Sequence, residues 1–115
     1  MSELIEIRDA ARTFIAEREW EKFQDPKSVM LALVGEVGEL AELLQWLPAG
    51  EAPELARHEP LHTRLSEETA DVFVYLDGLA DQSGVELGPA ALAKIASSSR
   101  KHPAETSRGL APTKK

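Results

Sequence analysis

The chain has 115 residues, 43% of them hydrophobic and 29% charged, with a formal net charge of −7 and no cysteine. That is the length of one domain with an ordinary globular balance, and without thiols a disulfide framework, a zinc–thiolate site and a cysteine nucleophile are all excluded. The acidic balance argues against nucleic acid or an anionic membrane as partner, since both are held by basic patches.

The elements separate at clear breakers. A first helix is predicted over about Ser2 to Glu21, where Leu4, Ile7, Ala11, Phe14 and Ile15 recur at helical spacing. Its start, MSELIEIRDAARTF, is acidic and amphipathic, unlike an apolar signal segment. Gln24-Asp25-Pro26-Lys27 interrupts, with Asp25-Pro26 suited to the N-cap and first position of a second helix. That helix runs to Leu47 and stops at Pro48-Ala49-Gly50. A polar loop from about Pro48 to His62 follows, broken by Pro53 and Pro60 around a short turn at Glu54–Arg57. A third helix spans Thr63 to Gln82 and ends at Ser83-Gly84. The fourth begins near Pro89 and ends before Pro103. Residues 1–103 read as one domain and 104–115, AETSRGLAPTKK, as a flexible tail with few apolar residues. The expectation is an all-α, four-helix protomer. No apolar run approaches the roughly 20 residues that span a bilayer, so a cytoplasmic protein is expected.

Two acidic pairs carry the chemistry: Glu36-Val37-Gly38-Glu39 on the second helix and Glu68-Thr69-Ala70-Asp71 on the third. Residues three apart share a helix face. With about 100° per residue, Leu33, Leu40, Val37, Met30, Ala41, Val34, Leu44 and Leu47 form an apolar arc with Glu36 at its edge and Glu39 beyond it. Leu65, Val72, Leu76, Leu79 and Phe73 form the matching arc beside Glu68, with Asp71 beyond. Packing the arcs antiparallel would bring both acidic borders to one cleft. A single such pair is ordinarily a solvated face, since glutamate is a good helix former; two pairs on equivalent borders are less ordinary. Gly35 and Gly38 flank Glu36, and a mid-helix glycine costs about 1 kcal/mol relative to alanine. Either a close helix contact or room for a bulky ligand accounts for them. Glu42 projects away from the cleft and reads as surface, whereas Glu67 remains an alternative ligand. Four carboxylates from two helices make a candidate cage for a hard cation such as Mg²⁺, with Mn²⁺ as a substitute, and hence a candidate for phosphate chemistry.

LALVGEVGELAELLQW followed by LSEETADVFVYL resembles the MazG-like all-α nucleotide pyrophosphohydrolases, and is most similar to the small dCTP pyrophosphatase branch. The family pattern Glu-x-x-Glu, spacer, Glu-x-x-Asp is matched in order by Glu36, Glu39, Glu68 and Asp71. REWEKFQDPKSV and ALAKIASSSRKHP extend the likeness over about residues 8 to 103. The resemblance implies Mg²⁺-dependent hydrolysis of a nucleoside triphosphate, dCTP or a modified dCTP, to the monophosphate and pyrophosphate. It also implies a homo-oligomer, a tetramer built as a dimer of dimers. A pyrophosphohydrolase for another nucleotide such as phosphoribosyl-ATP, and a non-enzymatic helical oligomer, are the alternatives.

Under that reading Glu39 is the candidate catalytic carboxylate that orients or deprotonates the attacking water. Trp20 and Trp46 are the candidate stacking surfaces for the base, while Phe23 reads as core or interface and Tyr75 as a further aromatic. Lys94, Arg100 and Lys101 match basic family positions for the phosphates. The chain departs from the pattern at Ser98, where relatives often carry asparagine, and at His102, where a tyrosine is usual. Serine cannot present an amide fork. His58, His62 and His102 have no ligand spacing and read as surface or loop residues.

Overall fold

The computed structural model describes residues 2–112, and among them the secondary structure is helical throughout: α1 (Glu3–Glu17), α2 (Pro26–Leu44), α3 (Ala52–Ala56), α4 (Leu61–Gln82), α5 (Leu87–Lys101) and α6 (Ala104–Ser107), with a 3₁₀ turn at Glu21–Phe23. The all-α expectation holds. The four long helices are the expected ones, and two short helices were not foreseen as such. α3 overlaps the turn expected near Glu54–Arg57, and α6 lies in the segment read as a tail. Thr113–Lys115, the end of that segment, lie outside the described residues. The chain divides into two compact units, Met1–Gly84 and Val85–Lys115.

The helix ends follow from local chemistry. Asp25 caps α2: its Oδ1 accepts the Ser28 N–H at 2.9 Å and its Oδ2 accepts the Ser28 hydroxyl at 2.7 Å. Pro26, which has no N–H to leave unsatisfied, opens the first turn. α4 closes at Ser83, and Gly84 takes a φ of +71°, the left-handed geometry expected of a helix stop. α2 ends at Leu44 rather than Leu47, because the last turn tightens and the Leu47 N–H bonds the Leu44 carbonyl at 3.0 Å.

α1 also stops short, at Glu17 rather than near Glu21. The Trp20 N–H bonds the Ile15 carbonyl at 3.0 Å and the Glu19 N–H bonds the Ala16 carbonyl at 3.0 Å, with Glu19 at a φ of +53°. This is the Schellman arrangement, six-to-one and five-to-two bonds closed by a left-handed residue. The residue is usually glycine, so a glutamate there conceals the stop from a sequence reading. The accompanying apolar contact is present as well: Trp20 meets Phe14 edge-on, ring centroids 5.9 Å apart.

Within the first unit, α2 and α4 form the central pair. Val29 Cγ1 lies 3.9 Å from where a Cβ on Gly78 would sit, and Glu36 meets Glu68 further along, so the two helices run antiparallel, as expected. α1 runs parallel to α4 and is tied to it by charge. Arg8 Nη2 donates to the buried Asp77 at 3.1 Å, and Arg12 donates to both Asp81 oxygens at 2.8 and 2.6 Å.

The apolar arc of α2 packs differently from the expectation. Val29 and Leu33 are buried, and Glu36, Leu40, Leu43 and Leu47 are half-buried along the same stripe. Glu36 therefore stands inside the α2 face turned to α4, not at its border. Met30, Val34, Val37 and Leu44, the other side of the expected arc, are exposed. The reason is geometric. An arc this wide exceeds what one neighbouring helix covers, so part of it stays uncovered among the described residues. In the second unit, α5 has no buried residue, and Leu92 and Ile95 are 71% and 65% exposed.

Candidate metal centre

The antiparallel α2–α4 pair brings together Glu36, Glu39 and Glu68. Each offers a carboxylate oxygen, and the three oxygens lie within 4.8 Å of one another. Asp71, one helical turn beyond Glu68, lies outside that trio and is exposed. It is still near enough for its charge to raise the proton affinity of both Glu36 and Glu68. Glu42 and Glu67 are also outside the trio, Glu67 acting only as a further negative charge on Glu68.

The electrostatics of the trio are those of a site built for a cation. A hydrogen bond that the protonated Glu36 donates to Glu39 raises the Glu36 carboxyl above its ordinary value, followed by desolvation and by the charges of Glu39, Asp71 and Glu68. That bond requires a proton on one of the two acids. Desolvation pushes Glu68 up first, then the charges of Glu39 and Asp71, with Arg64 pulling the other way. Glu68 Oε2 is shut off from solvent and has no hydrogen-bond partner among the described residues. A carboxylate oxygen sequestered without a partner is unfavourable unless something positive meets it. The donors are all oxygen, the set preferred by hard cations and not by zinc or copper. The residues present thus fit a divalent metal ion.

Asp71 also lines a cavity of about 580 Å³, within the range of about 300–1,000 Å³ typical of small-molecule sites. One wall is α1, through Ile7, Ala10, Ala11, Phe14 and Ile15. The other is Val29 of α2 with Val74, Tyr75 and Gly78 of α4. Trp20 and Gln24, from the connection between α1 and α2, complete the lining. The cavity is mainly aliphatic and aromatic, with one carboxylate, Asp71, whose charge reaches the acidic cluster.

Of the residues singled out from sequence, Trp20 lines this cavity and Trp46 does not. Trp46 lies past the end of α2 and is 85% exposed. Phe23 is exposed in the isolated chain, with the Lys22 ammonium 5.4 Å from its ring. Lys94, Arg100 and Lys101 are exposed on α5 in the second unit, as is Ser98. His58 and His62 bond the backbone carbonyls of Glu54 and Ala56 in α3. Among the described residues, no atom outside the local helix backbone and the chain neighbours comes within 4 Å of a Cβ placed on Gly35 or Gly38. A close helix contact within the chain is therefore not what these glycines serve. Phe14 and Gln24 belong to the cavity and were not expected there. The signal for Phe14 lay in its spacing from Trp20 across a helix stop; Gln24 carried none, since it read as part of a break between helices.

No family model matches the chain. A pyrophosphatase of known crystal structure from Archaeoglobus fulgidus is 31% identical, with a TM-score of 0.81 over 90% of this chain and 94% of that one. The chain belongs to the MazG-like, all-α pyrophosphatase family. Among curated proteins it is 44% identical over 108 residues to dCTP pyrophosphatase 1 of Bos taurus, and 44% identical over 105 residues to dCTP pyrophosphatase 1 of Homo sapiens. These alignments take in 94% and 91% of this chain but 64% and 62% of the relatives, so the chain spans somewhat less than two thirds of their length.

Proposed function

We propose that this protein hydrolyses a nucleoside triphosphate, dCTP or a modified dCTP, to the nucleoside monophosphate and pyrophosphate with Mg²⁺. The observation that carries this reading is the juxtaposition, through Asp71, of a three-carboxylate cluster with an apolar, aromatic-lined cavity. A triphosphate is repelled by bare carboxylates, and a base needs an apolar slot. One feature suits the phosphates when neutralised, the other suits the base, and the names of the relatives point the same way.

Glu36, Glu68 and Asp71 would hold the metal, with Glu39 shared between ligation and catalysis. Bound Mg²⁺ supplies positive charge against the phosphates and lowers the pKa of water at the site. Glu39, exposed at the edge of the cluster, would accept the proton of the attacking water as the water oxygen bonds to phosphorus. The bond between the α- and β-phosphoryl groups breaks, and pyrophosphate leaves. Trp20 offers a face for the base, a stacking contact worth about 1–3 kcal/mol in single-strand binders. Lys94, Arg100 and Lys101 are proposed for the phosphate tail because they match basic positions of the family. Trp46 keeps its role as a second stacking residue only if a further copy of the chain covers it.

We also propose a homo-oligomer, a tetramer, formed through the uncovered side of α2: Met30, Val34 and Val37 are apolar, adjacent and 44–55% exposed, and burying them on a second copy gives the hydrophobic gain the chain leaves unused. No helix among the described residues is long and apolar enough to cross a membrane, which suits the cytoplasmic location proposed here.

The test is release of pyrophosphate and nucleoside monophosphate from a panel of canonical and modified triphosphates, with Mg²⁺ and with EDTA. Turnover of dCTP that requires the metal is expected. Metal-dependent turnover confined to another nucleotide would overturn the substrate, and no turnover of any would overturn the enzyme.

A further inference from the structure

We propose that Gln24 is the residue with which the cavity reads the edge of the base, an inference that rests on the nucleotide reading above. Among the cavity's lining, aliphatic and aromatic groups predominate, and a slot of that kind holds any base by stacking without telling one from another. Discrimination needs hydrogen bonds to the base edge, made where water does not compete. Asp71, when ionised, only accepts, and Tyr75 offers a single hydroxyl. Gln24 is the lining residue whose side chain presents a donor and an acceptor next to each other. A cytosine edge, an exocyclic amine beside a ring nitrogen, is complementary to that pair in the way a carboxamide meets the amine and ring nitrogen of adenine.

The setting suits the role. Gln24 is half-buried, and its carboxamide has no hydrogen-bond partner among the described residues, so it is available to a ligand. Its backbone is held from both sides. The Gln24 N–H bonds the Glu21 carbonyl at 3.0 Å, closing the 3₁₀ turn, and the next residue is Asp25, locked as the cap of α2. Trp20 stands four residues earlier in the same connection. One short segment thus carries both a surface for the base face and a fork for its edge. A fork set on a held backbone loses little freedom on binding, which is what makes a hydrogen bond selective.

The experiment compares wild type with Gln24→Leu and Gln24→Glu across the four deoxynucleoside triphosphates and inorganic tripolyphosphate, with folding followed by circular dichroism. In Gln24→Leu the KM for the preferred nucleotide should rise about 5- to 150-fold, the range expected for one bidentate base contact. Its kcat should stay close to wild type, and its advantage over guanine and thymine should shrink, whereas adenine, which presents the same amine and ring nitrogen, should weaken with cytosine. Gln24→Glu, which keeps the shape but only accepts hydrogen bonds, should lower the preference for cytosine and favour guanine, whose edge carries two adjacent donors. Calorimetric titration of the deoxynucleosides without metal should follow the same order, independently of turnover. An equal loss on all four bases would make Gln24 a structural residue and overturn the proposal, as would an unchanged base preference in both variants. Wild-type protein that turns over no nucleotide but binds the deoxynucleosides in a Gln24-dependent order would separate the two readings, removing the reaction and keeping base recognition. Inertness in both assays would remove both.

Discussion

Glu19 holds a left-handed φ of +53° at the turn that sends Trp20 into the cavity, and replacing it by glycine tests whether that corner stores strain. A residue with a Cβ loses about 1–2 kcal/mol in the left-handed region, and glycine loses it not at all. Glycine is also freer in the unfolded chain, which costs about 0.4–1 kcal/mol on folding. The difference leaves Glu19→Gly more stable by about 0.5–1 kcal/mol. The bonds of the turn, Trp20 to Ile15 and Glu19 to Ala16, are between backbone groups and survive the change. Glu19→Ala keeps the Cβ and its cost, so it should fall within about 0.5 kcal/mol of wild type. The assay is urea unfolding at one fixed protein concentration, because the stability of the proposed oligomer would vary with concentration, with KM measured alongside. If strain serves to hold Trp20 in place, the glycine variant gains stability and its KM rises. A glycine variant less stable than wild type, or alanine and glycine variants of equal stability, would refute the reasoning.

Four further outcomes are expected. Glu36 and Glu68 bind protons more tightly folded than unfolded, so without metal the protein should lose stability as pH rises above the ordinary carboxylate value of 4.5; Mg²⁺ should restore it at neutral pH, and a thermal midpoint indifferent to both would count against the cluster. Asp81 works in the opposite sense, since Arg12 holds its carboxyl below 3.8: its contribution is present above that value and lost as pH falls through the lowered one. Arg12→Ala should cost on the order of 1 kcal/mol, the upper range for a partly exposed pair, and the loss should shrink in high salt. Trp20→Ala should raise KM by about 5- to 150-fold, equivalent to 1–3 kcal/mol of stacking, while Trp46→Ala, at 85% exposure, should leave KM unmoved unless a second copy covers it as proposed; an unmoved KM in Trp20→Ala rejects the base slot. Gly38→Ala should stabilise the helix by about 1 kcal/mol, since none of the described residues obstructs the new methyl, and turnover should fall if substrate uses that space.

The elements and the acidic motif were legible in the sequence because both depend on local chemistry. Asp25-Pro26 and Ser83-Gly84 mark helix ends through backbone hydrogen bonds and φ preferences that act within a few residues. Glu36, Glu39, Glu68 and Asp71 could be picked out because residues three apart must share a helix face. What tertiary structure decided was which faces meet. The apolar arc of α2 is wider than one neighbour covers, and only the contact with α4 selects the stripe through Val29, Leu33 and Leu40, drawing Glu36 inward with it. The parallel placement of α1 rests on Arg8–Asp77 and Arg12–Asp81, pairs 69 residues apart in the chain, and no periodicity encodes a partner at that distance. The cavity follows from that placement, which is why Trp20 enters it and Trp46, an equal candidate by residue type, remains in solvent.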